Sequence, residues 1–228
     1  MASKALVVAA SFRRPALAAS SAEPMHASHL NDADIFLLRH GETVWNSERR
    51  VQGRLDSPLT ALGMEQARRC GERLRPLLDP ADGYRLISSP LGRALQTASI
   101  IAETLGGAVT DISTDEQLTE MAWGRWDGLT AAEIEAKDPE LWQARIDDRW
   151  TKPPPGGGET QQDILDRATT WLASTPPGAR LVVVAHGALG RAVRVAYAGL
   201  PPAAMLELDQ PQDAFFRLHG GMITRIDA

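Results

Sequence analysis

Two apolar runs of the chain, at residues 34–39 and 180–185, lead into the same dipeptide, His-Gly. A short run of branched and apolar residues bounded by glycine predicts a buried strand of a parallel or mixed sheet. In open α/β sheets, ligands bind just beyond the carboxyl ends of the strands. We therefore expect His40 and His186 to lie at one rim of one sheet, where two imidazoles indicate chemistry rather than packing.

The rest of the chain mostly alternates helical and extended patterns, as α/β proteins do. Predicted helices cover residues 60–76, 90–105, 160–173 and 188–199, and further predicted strands cover residues 84–88, 109–112, 204–208, 214–218 and 222–226. Residues 114–158 depart from this alternation, hold four tryptophans and end in a run of prolines and glycines. We predict a three-layer α/β/α sandwich with a mostly parallel central sheet and a small helical insertion, residues 114–158, over the site.

The second predicted helix has clear signals at both ends. Ser89 is a natural N-cap, Pro90 is a natural first helical residue, and Gly106 is a natural end. Arg93 then falls in the first turn, where its charge adds to the positive end of the helix dipole, an arrangement suited to anions. An exposed arginine at a helix start is the alternative, and it is the commoner case.

The length of 228 residues suits one α/β domain with a sizeable core. We expect this domain to span residues 34–228 and an N-terminal extension to span residues 1–33. Residues 1–22 are rich in alanine and serine and contain no acid, which is compatible with a targeting segment. We favour a disordered extension or an overcalled start with Met25 as the initiator. The expected location is therefore cytoplasmic, or organellar or exported if residues 1–24 are a targeting segment.

Composition limits the classes of binding partner that we expect for this chain. The net charge of −5 and the lack of a basic run argue against nucleic acid. No apolar stretch approaches the ~20 residues of a transmembrane helix, which argues against a membrane. The single cysteine, Cys70, excludes an internal disulfide. We expect a small-molecule partner, and a homodimer stays open.

The residues around the first histidine suggest phosphate chemistry. Arg39 offers a planar fork of donors that matches phosphate oxygens. A neutral imidazole at His40 can act as a nucleophile and form a covalent intermediate. Gly41 allows a sharp turn and a close approach of the backbone to an anion. Further neutral donors to the same oxygens are Asn46, Gln52 and Gly53.

The segment from Arg39 to Ala67 carries a long and specific pattern. It reads Arg-His-Gly-Glu-Thr-x-Trp-Asn, followed by Gln-Gly-x-x-Asp-x-Pro-Leu-Thr-x-x-Gly-x-x-Gln-Ala. The pattern continues with Ser-Ser-Pro-Leu-Gly-Arg-Ala-Leu-Gln-Thr-Ala at residues 88–98, with Glu120 and with the second His-Gly. On these motifs the chain resembles the histidine phosphatase superfamily, also called phosphoglycerate mutase-like, over about residues 34–226.

The resemblance implies a phosphohistidine intermediate at His40, with Glu120 as the proton donor to the leaving alkoxide and Asp127 as the alternative acid. It also implies that cationic or donor side chains hold the phosphoryl oxygens, namely Arg39, Arg93 and His186. The expected phosphate-binding residues beside them are Gly41, Asn46, Gln52, Gly53 and Gly187. We expect no metal and no cofactor, because spacings such as His-x-x-x-His are absent and arginines would repel a cation.

Two features resemble the phosphatase branch of the family rather than its cofactor-dependent mutases. About 65 residues separate Glu120 from the second histidine, and residues 124–128 read Gly-Arg-Trp-Asp-Gly. We expect a metal-independent phosphomonoester hydrolase of a small phosphorylated metabolite. A bisphosphoglycerate-dependent phosphoglycerate mutase, a non-catalytic phosphate-binding module and a metallohydrolase are the alternatives. The substrate stays open; Arg49 and Arg125 are candidates to recognise a second anionic group, although surface charge is the favoured interpretation of each.

Overall fold

The computed structural model describes residue 30, residues 32–79 and residues 83–228. The predicted N-terminal extension, residues 1–33, lies mostly outside this part of the chain. The prediction about its nature therefore stays a prediction.

The centre of the fold is a mixed sheet whose strand order is β3-β2-β4-β1-β5-β6. The strands are β1 (Asp34–Arg39), β2 (Arg85–Ser88), β3 (Ser113–Thr114), β4 (Arg180–Ala185), β5 (Ala214–His219) and β6 (Met222–Asp227). The first four strands pair in parallel, whereas β5 and β6 are antiparallel to their neighbours. The register pairs Arg39 of β1 with Ala185 of β4. The next residue of each strand is a histidine, so the two imidazoles stand side by side at the carboxyl rim, as predicted.

Helices cover both faces of this sheet. They are α1 (Val44–Ser47), α2 (Ala61–Leu74), α3 (Gly92–Leu105), α4 (Ala131–Lys137), α5 (Pro139–Asp147), α6 (Gln161–Ser174) and α7 (Gly187–Ala198). Alternate residues of each strand point to opposite faces. Phe36 and Val182 pack with α2 and α3 on one face, while Leu37 and Val183 pack with α6 and α7 on the other. The predicted three-layer sandwich is confirmed.

The start of α3 differs from the prediction. The N-cap residue is Leu91 and the helix begins at Gly92, not at Pro90 with Ser89 as its cap. The capping acceptor comes from a distant loop instead, because the carboxylate of Asp56 accepts a hydrogen bond from the backbone N–H of Gly92 at 2.7 Å. Its negative charge also suits the positive end of the helix.

One predicted short strand is displaced by a few residues, and another predicted strand is wrong. Residues 109–112 form mainly a 3₁₀ turn (Val109–Asp111), closed by a carboxylate that accepts from the backbone N–H of Ala108, and the strand β3 follows it. Residues 204–208 overlap a 3₁₀ segment (Pro202–Leu206). Proline at its start has no N–H for a strand ladder, which disfavours a sheet there.

The predicted insertion folds as two short helices, α4 and α5, flanked by turns. Trp126 forms its core: the side chain is fully buried, its ring packs edge-on against Trp142, and its indole N–H donates to Asp138 at 2.7 Å. The insertion therefore has its own small centre of packing beside the main layers. Of the helices described, none is both long and apolar enough to cross a membrane.

Candidate active site

A cavity of about 380 Å³ opens at the carboxyl rim of the sheet. Three lining residues lie at the end of β1 or the start of α3, and we call Arg39, His40 and Arg93 the floor. Residues of the insertion also line the cavity, and we call Trp123, Trp142, Arg145, Ile146 and Arg149 the outer wall. Glu120 also lines the cavity. The fold thus brings most of the predicted site residues into one space.

The ring of His40 is held in one tautomer. Its Nδ1 lies 2.8 Å from the carbonyl oxygen of Gly41. A carbonyl only accepts, so this contact places the proton on Nδ1 and leaves the lone pair on Nε2. Burial, together with the positive charges of Arg39 and Arg93, holds the pKa of His40 well below its ordinary value of 6.5. The ring is therefore neutral, which is the form that attacks phosphorus.

His186 supports this arrangement from the next strand. The two imidazole centroids are 5.2 Å apart, and the Nε2 of His186 lies 2.7 Å from the hydroxyl of Ser89. Within the described residues, its buried Nδ1 has no hydrogen-bond partner. Burial, followed by the charge of Arg93, lowers the pKa of His186 well below 6.5. The ring itself does not line the cavity; it packs against the floor.

Backbone carbonyls orient the two floor arginines. Arg39 donates from Nη1 to the carbonyl of Gln210 at 2.7 Å, and Arg93 donates to the carbonyls of Leu55 at 2.6 Å and Gly53 at 2.8 Å. The Nε of each guanidinium is buried without a partner among the residues described. Burial lowers the pKa of Arg39 to about 10, so both side chains stay charged at neutral pH.

Asp56, which the sequence argument did not single out, connects the loop that follows Gly53 to the start of α3. Its carboxylate accepts from the backbone N–H groups that start the helix and from Nη1 of Arg93 at 3.0 Å. Its place in the motif, between Gly53 and the Pro-Leu-Thr that precedes α2, was the available signal. One carboxylate thereby caps the helix and holds a floor arginine.

Glu120 takes the equivalent place at the start of α7. Its carboxylate accepts from the backbone N–H groups of Ala188 at 3.2 Å and Leu189 at 3.3 Å, as well as from Met121 at 2.9 Å. Asp127 lies outside the cavity lining and accepts from the backbone N–H groups of Arg54 and Trp123. Of the two candidate acids, Glu120 is therefore the one placed to meet a bound ligand.

The five neutral residues that were expected to bind phosphate divide into two groups. Asn46, Gln52 and Gly53 line the cavity, and the buried Oε1 of Gln52 lacks a partner in the part of the chain described. Gly41 and Gly187 do not line it. The N–H of Gly41 donates to Thr97, and a side chain at Gly41 would overlap the backbone of α2. A side chain at Gly187 would overlap Gln210. Both glycines allow close packing around the floor.

Several cationic residues of the cavity were not predicted. Arg145 and Arg149 of the outer wall and Arg191 of α7 line it, and helical position alone does not distinguish them from solvent-facing arginines. The two arginines that were considered for a second anion lie elsewhere. Arg125 pairs with Asp138 at 2.8 Å, and neither it nor Arg49 lines the cavity.

Comparisons with known proteins agree with this geometry. The family model described as histidine phosphatase superfamily (branch 1) matches residues 35–220. The probable phosphoglycerate mutase GpmB of Salmonella paratyphi C is 40% identical over 202 residues, which cover 85% of this chain and 84% of the relative.

Solved structures share the same architecture. The mycobacterial glucosyl-3-phosphoglycerate phosphatase, in complex with VO3, is 30% identical with a TM-score of 0.66, covering 85% of this chain and 96% of that chain. A putative alpha-ribazole-5'-P phosphatase from Escherichia coli has a TM-score of 0.71 at 24% identity, covering 86% of this chain and 95% of that chain. The second likeness shows the fold.

Proposed function

Because the chain belongs to the histidine phosphatase superfamily, we propose that it is a metal-independent phosphomonoester hydrolase that acts through a phosphohistidine intermediate at His40. The substrate is a small phosphorylated metabolite. The observation that carries the proposal is the neutral, buried imidazole of His40, whose Nδ1 is engaged by a carbonyl and whose neighbours are two arginines without carboxylates at their Nε atoms.

In the first step, Nε2 of His40 attacks the phosphorus while the bond from phosphorus to the alcohol oxygen breaks. Glu120 gives its proton to the departing alkoxide, which leaves as a neutral alcohol. An alkoxide is a poor leaving group, and a positioned acid contributes about 10²–10⁴ in rate. Arg39 and Arg93 hold the equatorial oxygens by charge-assisted hydrogen bonds throughout.

In the second step, water attacks the phosphorus of the phosphohistidine. The Glu120 carboxylate takes a proton from that water, the phosphorus–nitrogen bond breaks, and inorganic phosphate forms. His40 recovers its lone pair and Glu120 its proton, so the cycle closes. His186 packs against His40 rather than lining the cavity, and a dianionic phosphoryl group on the floor favours the protonated form of that ring, which adds positive charge behind the floor.

A phosphoglycerate mutase is the second candidate, since the relatives at 40% identity carry the name probable phosphoglycerate mutase. A mutase would return phosphate from the histidine to a phosphoglycerate instead of to water. It would also need bisphosphoglycerate to load the histidine.

One assay separates the candidates. Phosphate release from p-nitrophenyl phosphate and a panel of metabolite phosphoesters is measured with and without EDTA and bisphosphoglycerate, together with the interconversion of phosphoglycerates. Hydrolysis that persists in EDTA and needs no bisphosphoglycerate supports the proposal. Bisphosphoglycerate-dependent interconversion without phosphate release would overturn it in favour of the mutase. Loss of phosphate release in EDTA would indicate a metallohydrolase.

A further inference from the structure

The cavity is larger than the floor requires. Its volume of about 380 Å³ falls within the roughly 300–1,000 Å³ of small-molecule sites. A water molecule occupies ~30 Å³ in the liquid, and a phosphoryl group is only a few times larger. Such a group at the floor would therefore fill only part of the cavity. The remainder, between the floor and the outer wall, must accommodate the part of the substrate that leaves.

This remaining space is cationic. Six arginines line the cavity within the described chain, against one carboxylate, that of Glu120. Two of the six have carboxylate partners outside the open space: Arg50 pairs with Glu48 and Glu133, and Arg93 pairs with Asp56. The four without a salt bridge to any described residue are Arg39, Arg145, Arg149 and Arg191.

Arg145 is the clearest case. Its side chain is buried, with 2% of the residue exposed, and it donates to the carbonyl of Lys152 at 2.6 Å while stacking 5.0 Å from the ring of Trp123. Burial and the nearby Arg149 lower the pKa of Arg145 to about 10, so it is still a cation at neutral pH. Buried cations are normally paired with an anion. The structure fixes this guanidinium firmly but leaves its charge unbalanced.

Arg149 and Arg191 extend the same charge toward the floor. Arg191 of α7 has a buried Nε with no partner in the described residues. Burial lowers the pKa of Arg191; the carboxylate of Glu120 opposes this shift and the charge of Arg149 adds to it. The same Glu120 carboxylate and the charge of Arg191 act in opposite directions on the pKa of Arg39. The unpaired arginines thus share the lining of one cavity, in which Glu120 is the one carboxylate among the described lining residues.

Arginines that are shielded from solvent outside the cavity have carboxylate partners. Arg167 pairs with Glu159 at 3.0 Å, and Arg194 pairs with Asp209 at 3.0 Å. The fold thus supplies a carboxylate where an arginine is structural. The lack of such a partner at four of the six arginines that line the cavity, among the described residues, indicates that the ligand supplies the missing negative charge.

We infer that Arg145, Arg149 and Arg191 bind a second anionic group of the substrate, a carboxylate or a second phosphate, while its first phosphoryl group lies on the floor. The inference rests on the proposed function for the identity of that first group. It makes the preferred substrates phosphoesters with two separated anionic groups. Guanidinium forks recognise either kind of oxyanion by paired hydrogen bonds.

Binding tests this without turnover. Isothermal titration of the full chain carrying His40→Ala compares two matched pairs of ligands. In the first pair, 3-phosphoglycerate has a carboxylate where glycerol 3-phosphate has a hydroxymethyl group. In the second, fructose 1,6-bisphosphate has a phosphate that fructose 6-phosphate lacks. We expect at least one ligand with two anionic groups to bind roughly tenfold more tightly than its partner with one, which corresponds to one or two charge-assisted hydrogen bonds. The pair that responds identifies the second group.

Substitution then locates the effect. In the same background, Arg149→Gln and Arg191→Gln should each remove most of the preference within the responding pair. The matched control Arg73→Gln, an exposed arginine in the last turn of α2, should keep it in full. Arg149 is exposed, so its substitution should leave the packing of the core unchanged. Arg145→Gln is less suitable, because it would also remove the hydrogen bond to the carbonyl of Lys152.

Equal affinity within both pairs would overturn the inference, and so would a preference that survives in Arg149→Gln and Arg191→Gln. The result is independent of hydrolysis. If the wild type releases no phosphate but the preference for a second anionic group appears and depends on these arginines, the hydrolase proposal fails and the second-anion site stands. If hydrolysis is seen without the preference, the reverse holds.

Discussion

The floor of the cavity and its outer wall are built in different ways. The floor side chains follow a strand or begin a helix beside the sheet, where parallel register and backbone carbonyls hold them in place. The outer wall belongs to α5 and to turns of the insertion, and part of it is exposed, as at Ile146 and Arg149. In the proposed reaction, residues held by the sheet would carry out the chemistry, and the insertion, a segment that can vary without disturbing the sheet, would shape the space around the leaving group.

The largest expected effect separates the two regions outright. His40→Ala removes the proposed nucleophile, so turnover of every phosphoester should fall by at least about 10³-fold. Variants of the outer wall should change only the order of preference among substrates. Steady-state phosphate release measures this, with His219→Ala, an exposed histidine at the end of β5, as the control. Substantial turnover by His40→Ala would mean that the floor does not carry the reaction.

Glu120 lies between the two regions, and its variant should depend on the leaving group. Glu120→Gln should lower kcat/KM for an alkyl phosphate by about 10²–10⁴, because the alkoxide needs a proton. The loss should be far smaller for p-nitrophenyl phosphate, whose phenolate departs unprotonated. Asp127→Asn is the matched control, since that carboxylate holds backbone N–H groups outside the cavity. An equal loss for both esters with Glu120→Gln would assign the residue a purely structural role.

Sequence reasoning succeeded for the floor because each residue there stands in a local pattern. An apolar run, then His-Gly, predicts a strand end, and parallel pairing makes two such ends meet. The register of β1 and β4 bears this out. The roles of His40 and His186 in catalysis remain predictions, but their proximity is a consequence of the sheet.

It failed where the partner is remote in sequence. Ser89 has the ideal identity for an N-cap, yet its hydroxyl lies against His186, and Asp56 caps the helix from another loop. The arginines of the outer wall fail for a related reason. Arg145 and Arg149 are spaced like solvent-facing cations of a short helix, and only the folded insertion shows that they line a shared space.

A smaller effect tests how the boundary between the regions is held. Arg167 donates to the carbonyls of Gln117 at 2.8 Å and Thr119 at 2.6 Å, and its partner Glu159 accepts from the N–H of Ala122 at 2.7 Å. The ion pair thus holds the backbone by hydrogen bonds on both sides of the proposed acid, Glu120. We expect Arg167 to act as a positioning residue for Glu120.

Arg167→Gln should lower kcat/KM for alkyl phosphates roughly tenfold, since small misplacement of an acid is costly. The loss for p-nitrophenyl phosphate should be smaller, which a general loss of stability would not produce. Arg68→Gln is the control, because it breaks a comparable ion pair, with Glu65, on the exposed surface of α2. A uniform decrease for both esters would contradict the positioning role.

The smallest expected effect concerns the stability of the floor. Burial lowers the pKa of both His40 and His186 well below 6.5, so the folded chain binds protons at these rings less readily than the unfolded chain does. Between the folded-state pKa and 6.5, unfolding therefore takes up protons, and the free energy of unfolding falls as the pH falls. Each histidine contributes up to about 1.4 kcal/mol per pH unit in that window.

Urea unfolding of wild type and His186→Gln at pH 7.5 and 5.5 measures the contribution of His186 to the free energy of unfolding. The variant should lose about 1.4 kcal/mol less than wild type over this interval. Identical losses in wild type and His186→Gln would mean that the ring of His186 takes up a proton in the folded state as easily as in the unfolded chain, and that the floor is open to water.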